Sequence, residues 1–369
     1  QQLASKALVD VAQCASGDMG CAVAKQEEVN VLLAAVQSSS MTVRETALQS
    51  LQAMVLALPT PDVDYDNALS LMRRLWIAKF DPEEENTKLA NRLWEELAFE
   101  VEDDLCGELV KDTVHPEEVI RIATADALYA ALEMHQSFSP AILYQLLELY
   151  GEKLYMPPPV LDNFGRVMSE APPDEWPARS GIAMAIKKVS AFLDQDQISE
   201  LFLFFVEKGL GDRTEQVRRN MLTAAVAAVD QHGKENVTSL LKVFEDFLEK
   251  APDTASFDSV RQSVVILMGS LAKHLDKEDP KVKPIVAKLI ETLSTPSQPV
   301  QEAVANCLPP LVPAIKPDAP ELVQKLLQLL LESDNYGERR GAAYGLAGLV
   351  KGLGILALKQ LDIMSTLQE

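Results

Sequence analysis

The stretch Glu215–Asp230, EQVRRNMLTAAVAAVD, opens with Val217-Arg218-x-x-Met221 and runs on with apolar residues at helical spacing. An apolar residue, then Arg or Gln, then another apolar residue three positions on recurs at Val43-Arg44-x-x-Ala47, Val260-Arg261-x-x-Val264 and Val300-Gln301-x-x-Val304. Weaker copies stand at Ile120-Arg121, Ala178-Arg179-x-x-Ile182 and Arg339-Arg340-x-x-Ala343, with Lys88 in a degenerate one. The polar members 44, 88, 121, 179, 218, 261, 301 and 340 are separated by 44, 33, 58, 39, 43, 40 and 39 residues.

A period near 40 residues, each unit carrying two amphipathic helices, is the pattern of HEAT or armadillo repeats (about 40 to 47 residues). The expected fold is all-α: a single α-solenoid segment over residues 1–369, a right-handed superhelical stack of about eight antiparallel helix pairs. Such a stack builds long surfaces for partners and seldom a catalytic cleft.

The punctuation between helices agrees. Gln197–Gly209 reads as a first helix, Gly211-Asp212-Arg213 as a turn and Glu215–Asp230 as a second helix closed at His232-Gly233, where glycine supplies a left-handed cap. Later turns fall at Ala251-Pro252-Asp253, Thr295-Pro296-Ser297 and Ser333-Asp334-Asn335; Pro284 sits in a first turn, where its missing N–H is harmless. Upstream units are placed at 27–58, 66–99, 100–135 and 139–193. Pro82 and Pro116 mark second-helix entries, each followed by Glu, a charge suited to the helix dipole. With no alternating β-branched runs, essentially no sheet is expected. The long interval of 58 places an irregular insertion near 155–177, holding Pro157-Pro158-Pro159, Asn163-Phe164-Gly165 and Pro172-Pro173. It reads as a long loop or an extra short helix, serving either as a partner-binding element or as a tolerated surface insertion.

The net charge of −21 argues against broad attraction to nucleic acid or anionic membrane. It is concentrated between Asp62 and Arg121, where 17 acidic residues face 7 basic ones. That block is either a solvating face or a surface for a basic protein tail. Cys14, Cys21, Cys106 and Cys307 form no CxxC pair and read as free thiols of a reducing compartment; a bridge or metal at Cys14 and Cys21 is the alternative. The apolar run 341–350 is too short to span a membrane, and no signal peptide is visible, so cytoplasmic residence is the default. The chain starts within one apparent repeat and ends within another, as a piece of a longer solenoid would.

No constellation suggests chemistry. The four histidines have no Ser, Cys or Asp partner at a recognisable spacing, and the Gly-rich stretch 337–354 lacks the Lys-Ser/Thr end of a phosphate loop. Glycines 337, 341 and 345, then 348 and 352, instead suit close packing of a helix against its neighbour, although each costs about 1 kcal/mol relative to Ala. No catalytic, cofactor, metal or small-molecule site is therefore expected. The Asp-then-Arg pairs, Asp212 with Arg218 and Asp174 with Arg179, suit an inter-repeat ladder or a partner contact. Adjacent helix residues point about 100° apart, so only one of Arg218 and Arg219, and one of Arg339 and Arg340, can serve a ladder. The other is free for an acidic partner such as RNA phosphate. Arg218, Arg219, Arg339 and Arg340 are the candidate contact residues.

Residues Asp334 to Gly354, DNYGERRGAAYGLAGLVKGLG, resemble the opening of the elongation-factor-3-like region in the family of the translational activator of general amino-acid control. Leu58–Glu96, LPTPDVDYDNALSLMRRLWIAKFDPEEENTKLANRLWEE, is similar to the same family in a vertebrate version, and the likeness extends over essentially the whole chain. The resemblance implies a very long HEAT solenoid on stalled or collided ribosomes, touching ribosomal protein or ribosomal RNA. It also implies a role in activating the kinase that phosphorylates translation initiation factor 2 in amino-acid starvation, with that kinase and its co-regulator engaged through the full-length protein. The kinase-binding segment would lie beyond the elongation-factor-3-like region, and no ATPase cassette is implied here. The alternatives are a nuclear transport receptor-type scaffold binding basic cargo, and a phosphatase or kinase scaffold subunit.

Overall fold

A computed structural model of the chain describes residues 2–16 and 26–368. Cys21, one half of the suggested Cys14–Cys21 bridge, lies outside the described residues. Two compact units, Gln1–Leu193 and Asp194–Glu369, are described separately.

The first unit contains α1 (Gln2–Ser16), α2 (Gln26–Ala35), α3 (Met41–Ala53), α4 (Tyr65–Ala78), α5 (Glu84–Glu96), α6 (Leu105–Val110), α7 (Glu118–Met134), α8 (Ser139–Leu154) and α9 (Trp176–Val189). The helices pair as α2/α3, α4/α5, α6/α7 and α8/α9, and second helices stack on one another, α1 on α3 on α5 and α7 on α9. The stack follows from the apolar spacing. In α4, Ala68, Leu71, Met72 and Leu75 fall at i, i+3, i+4 and i+7, and all are fully buried. Trp76 extends the same face, its Nε1 donating to Ala127 O of α7 at 2.8 Å.

The second unit contains α10 (Gln195–Glu207), α11 (Glu215–Lys250), α12 (Ala255–Ala272), α13 (Val282–Thr292), α14 (Gln298–Ile315), α15 (Ala319–Glu332), α16 (Tyr336–Leu353), α17 (Ala357–Gln360) and α18 (Ile363–Gln368). Here too the helices are stacked antiparallel pairs, and the all-α HEAT architecture read from the 40-residue period is what both units display.

Two expectations need correction. The left-handed cap expected at Gly233 is not formed: α11, Glu215–Lys250, consists of two helices that meet at a kink three residues later, at Asn236 (φ −118°, ψ 16°). Asn236 Nδ2 donates to His232 O at 2.9 Å, so the asparagine satisfies the freed carbonyl and marks the boundary between the two repeat helices. Gly233 serves packing instead: a Cβ there would sit 2.8 Å from His274 Cδ2. The second correction concerns the insertion, a long loop as one reading had it, which carries a short pair of strands where no sheet was expected. Val160–Leu161 (β1) pairs antiparallel with Val167–Ser169 (β2) in a small β-hairpin.

The glycines of α16 find their reason in α14. Prolines 309, 310 and 313 lie inside α14 and lack the N–H that would bind the carbonyls four residues back, those of Ala305, Asn306 and Pro309. A Cβ on Gly348 would come within 2.6 Å of Ala305 O, and one on Gly352 within 2.9 Å of Pro309 O. The α16 backbone thus runs directly over two of the carbonyls that proline leaves open, where only glycine fits.

A half-buried histidine adds a pH dependence. His115 Nδ1 accepts from Glu117 N at 3.0 Å and Nε2 contacts Gln37 Oε1 at 2.9 Å, so the neutral ring is fully used. Burial pushes its pKa below the usual 6.5. The unfolded chain then binds the proton first, so this contribution to stability is present above 6.5 and is lost as pH falls below it. Urea unfolding at pH about 7 and about 5 should show a smaller acid loss for His115→Gln than for the parent. An equal loss would mean that His115 does not set the acid sensitivity.

Candidate functional site

The recurring polar residue sits at the fourth position of the second helix, or the seventh for Arg261 of α12, and turns back to cap its own interhelix turn. Arg44 Nη1 donates to Ser38 O and Ser39 O at 3.0 and 3.1 Å, and Arg121 Nη1 to His115 O and Pro116 O at 2.7 and 2.8 Å. Arg218 Nη1 reaches Asp212 O at 2.7 Å, and Arg339 Nη1 reaches Ser333 O at 2.6 Å. Arg261 binds Ala251 O at 2.8 Å, Pro252 O and the Asp253 carboxylate. The last repeat is therefore in phase at Arg339 rather than Arg340, and buried Ala342, not exposed Ala343, completes its pattern. In α5 the position belongs to Thr87, whose hydroxyl donates to Asp81 O at 3.1 Å, while Lys88 is exposed and pairs with Glu84 and Glu85.

Residues at and near this position also join neighbouring repeats. Arg44 holds Asp81 of the next pair bidentately, at 2.7 and 3.2 Å. Asp174 and Arg179 pair at 2.8 and 3.0 Å within one repeat, and Arg218 meets the Asp212 backbone. Gln301 makes a further cross-link. Fully buried, it donates to Leu293 O, Thr295 O and Gly337 O at 3.1, 2.7 and 2.8 Å, and its Oε1 accepts from Arg340 Nε at 2.8 Å. An amide both donates and accepts, so glutamine here holds a neighbouring guanidinium that an arginine would repel.

Three of the four candidate arginines come together. Arg218, Arg219 and Arg340 line one recess of about 510 Å³ with Ser259, Gln262 and Gln298. A second recess of about 440 Å³ continues it, sharing Arg219, Leu222 and Pro299. Its walls are stripes at helical spacing: Arg219, Leu222, Val226 and Asp230 from α11, with Ile266 and Ser270 from α12 and Lys273 at its C-cap. The α14 wall is small, Pro299 and Ala303, which is why a groove opens. Arg339 is turned away by its bond to Ser333 O and is not among the lining residues.

The charges are arranged in pairs. Arg219, half exposed, meets Glu215 at 2.6 Å, and Lys273 meets Asp230. Glu302 accepts from Gln298 Nε2 and the Tyr344 hydroxyl, each at 2.8 Å, and these bonds hold its carboxyl below the usual range, helped by Arg219 and Arg340. Cys307, on the groove wall, is pushed up to about 11 by burial, so it is a protonated thiol at neutral pH rather than a nucleophile. Sequence reasoning missed the groove's α12 and α14 walls, since Ser, Gly, Ala and Pro carry no chemical signal.

The acidic block resolves into two kinds of residue. Asp81 and Asp112 are buried against arginines, whereas most of the remainder is exposed. The paired arginines Arg73 and Arg74, which converge on Asp112, were not singled out by the repeat pattern. Among the described residues no group of three metal-ligating side chains occurs, and no helix is long and apolar enough to cross a membrane.

Stacked helix pairs, capped turn by turn through a recurring arginine, place the chain among HEAT-repeat proteins. The family model described as "Stalled ribosome sensor GCN1, HEAT repeats" matches residues 62–273. The chain is 58% identical over its full length to "Stalled ribosome sensor GCN1" of Homo sapiens. It is 39% identical over 82% of its length to "Protein ILITYHIA" of Arabidopsis thaliana, and 32% identical over 93% to "eIF-2-alpha kinase activator GCN1" of Saccharomyces cerevisiae. The chain belongs to the GCN1 family. It spans 14%, 11% and 13% of the length of those three relatives, respectively.

Proposed function

We propose that the chain is a single HEAT-repeat solenoid segment acting as a non-enzymatic scaffold of a cytoplasmic, ribosome-associated regulator. In this reading it helps activate the kinase of translation initiation factor 2 when amino acids are scarce or ribosomes stall. Two relatives carry names that say "stalled ribosome sensor" and "eIF-2-alpha kinase activator", and their likeness runs along all or nearly all of the chain. The observation that carries the residue assignment is the convergence of Arg218, Arg219 and Arg340 on one groove. These cations, with Lys273 further along, would meet ribosomal RNA phosphate or an acidic segment of a ribosomal protein. The kinase and its co-regulator would be engaged through the full-length protein.

Arg219 gives the clean test. Its guanidinium pairs with exposed Glu215, one turn back, an interaction worth about 0–1 kcal/mol, so its replacement leaves the fold intact. In the full-length protein, Arg219→Glu should weaken co-sedimentation with ribosomes and lower the salt slope of binding by about one unit for each phosphate no longer neutralised. Arg219→Lys should retain most binding. Unchanged co-sedimentation of Arg219→Glu at low salt would show that the groove does not touch the ribosome.

A further inference from the structure

The surplus residues between Arg121 and Arg179 contribute nothing to the helix stack. Helices α8 and α9 pack against each other as other pairs do, yet every residue from 155 to 173 except half-buried Asp162 is exposed. The segment is nonetheless ordered by its own chemistry. Asp162 Oδ1 accepts from Phe164 N and Arg166 N, both at 2.8 Å, and Asp162 N donates to Arg166 O at 2.9 Å. Gly165, at φ +78°, takes the left-handed position the turn needs. Pro157-Pro158-Pro159 on one stem and Pro172-Pro173 on the other stiffen both approaches.

The fixed turn displays apolar side chains. Phe164 at the tip is 85% exposed, Met168 70%, Tyr155 67% and Val160 60%, with Leu161 and Val167 just over half exposed. A two-stranded hairpin without a buried face is marginal in water, and a contiguous exposed apolar patch marks an interaction site. Aromatic residues and Met are the types enriched in interface cores, and a preformed turn spares the ordering entropy of binding.

We propose that this hairpin is a docking knob for a protein partner, with Phe164 as its anchor, seated in an apolar pocket with a basic rim. Charge selects that occupant. Asp174 is paired with Arg179 and Glu175 with Lys153, so the hairpin itself carries Asp162 and Glu170 against Arg166 alone, a net of −1 that offers no cationic surface to RNA phosphate or anionic lipid. A complementary protein surface carries Lys or Arg around the pocket. The knob lies in the first unit, on residues separate from the arginine groove, and stands whether or not the groove touches the ribosome.

The test uses the full-length protein in cells, with the photo-crosslinker p-benzoyl-phenylalanine at Met168 and, as a control, at Val63, an exposed apolar residue elsewhere. The expected result is a dominant crosslink from position 168, absent from position 63, mapping to one peptide of one other protein beside an apolar pocket with Lys or Arg at its edge. Phe164→Asp should then reduce that crosslink, and binding to the purified partner, by about 30-fold or more, the scale of a hot-spot anchor. Phe164→Leu should reduce it far less. Because Phe164 is exposed, the melting temperature should not change in either variant. The proposal is overturned by crosslinks matching those of Val63, or by none. It is equally overturned by crosslinks to RNA, to lipid, to a second copy or to another segment of the same chain. A crosslink that Phe164→Asp leaves undiminished also overturns it.

Discussion

Gly341→Ala is expected to destabilise the chain by about 2 kcal/mol or more, although alanine is the better helix former by about 1 kcal/mol. A Cβ on Gly341 would stand 1.9 Å from Leu293 O and 2.9 Å from Gln301 Nε2. Neither neighbour yields easily. Leu293 O is backbone, and Gln301 is fully buried with its amide committed to Leu293, Thr295, Gly337 and Arg340. Making room means pushing α16 away from α14 and breaking the crosslink between repeats, so steric cost exceeds the propensity gain. Gly345→Ala should be milder, because its Cβ would meet the movable ends of Leu293 and Leu326. Gly151→Ala supplies the opposite sign. Nothing lies within 4 Å of its added Cβ, so the change should stabilise α8 by about 0.5–1 kcal/mol. Calorimetry on residues 1–369 distinguishes the cases, at roughly 2–4 °C for each kcal/mol in a unit of this size. A neutral or stabilising Gly341→Ala would mean that α16 does not approach so closely.

The fold was legible because a repeat states its period many times. Arg44, Arg121, Arg179 and Arg218 each occupy the fourth position of a second helix, so the errors elsewhere, Lys88 for Thr87 and Arg340 for Arg339, moved no helix. The misreadings lie where one residue can do two jobs. Gly233 looked like a left-handed cap, yet it spares room for His274, and Asn236 ends the helix three residues on. The hairpin was hidden because Val160–Leu161 and Val167–Ser169 are too short to show alternation, and what holds the turn is the side chain of Asp162. Of the groove, the adjacent arginines were visible but their convergence was not. Arg219 and Arg340 are separated by about three repeats in sequence and share a recess because α11, α12 and α14 lie side by side.

Asp112→Ala should cost about 3–5 kcal/mol, the range for breaking a buried ion pair by removing one member. Asp112 is buried and accepts from Arg73 Nε at 2.5 Å and from Arg74 Nη2 at 3.0 Å, binding α4 to the turn after α6. Its two arginines differ in what they can do without it. Arg73 is partly exposed and can turn to Glu108, 3.5 Å away. Arg74 is buried, its Nη1 has no hydrogen-bond partner, and burial already pulls its pKa down against the pull of Asp112. Deleting the carboxylate leaves that guanidinium charged and dry. Most of the loss should therefore come from stranding Arg74, not from the attraction itself. A double-mutant cycle separates the two: Arg74→Leu added to Asp112→Ala should recover part of the stability, making the double variant less damaged than the sum of its parts. Asp112→Asn, which keeps one accepting oxygen but no charge, should fall between parent and Asp112→Ala. Strict additivity of Asp112→Ala and Arg74→Leu in urea unfolding would show that the two side chains do not act as a pair, and α4 would then owe its position to Trp76 and the apolar face alone.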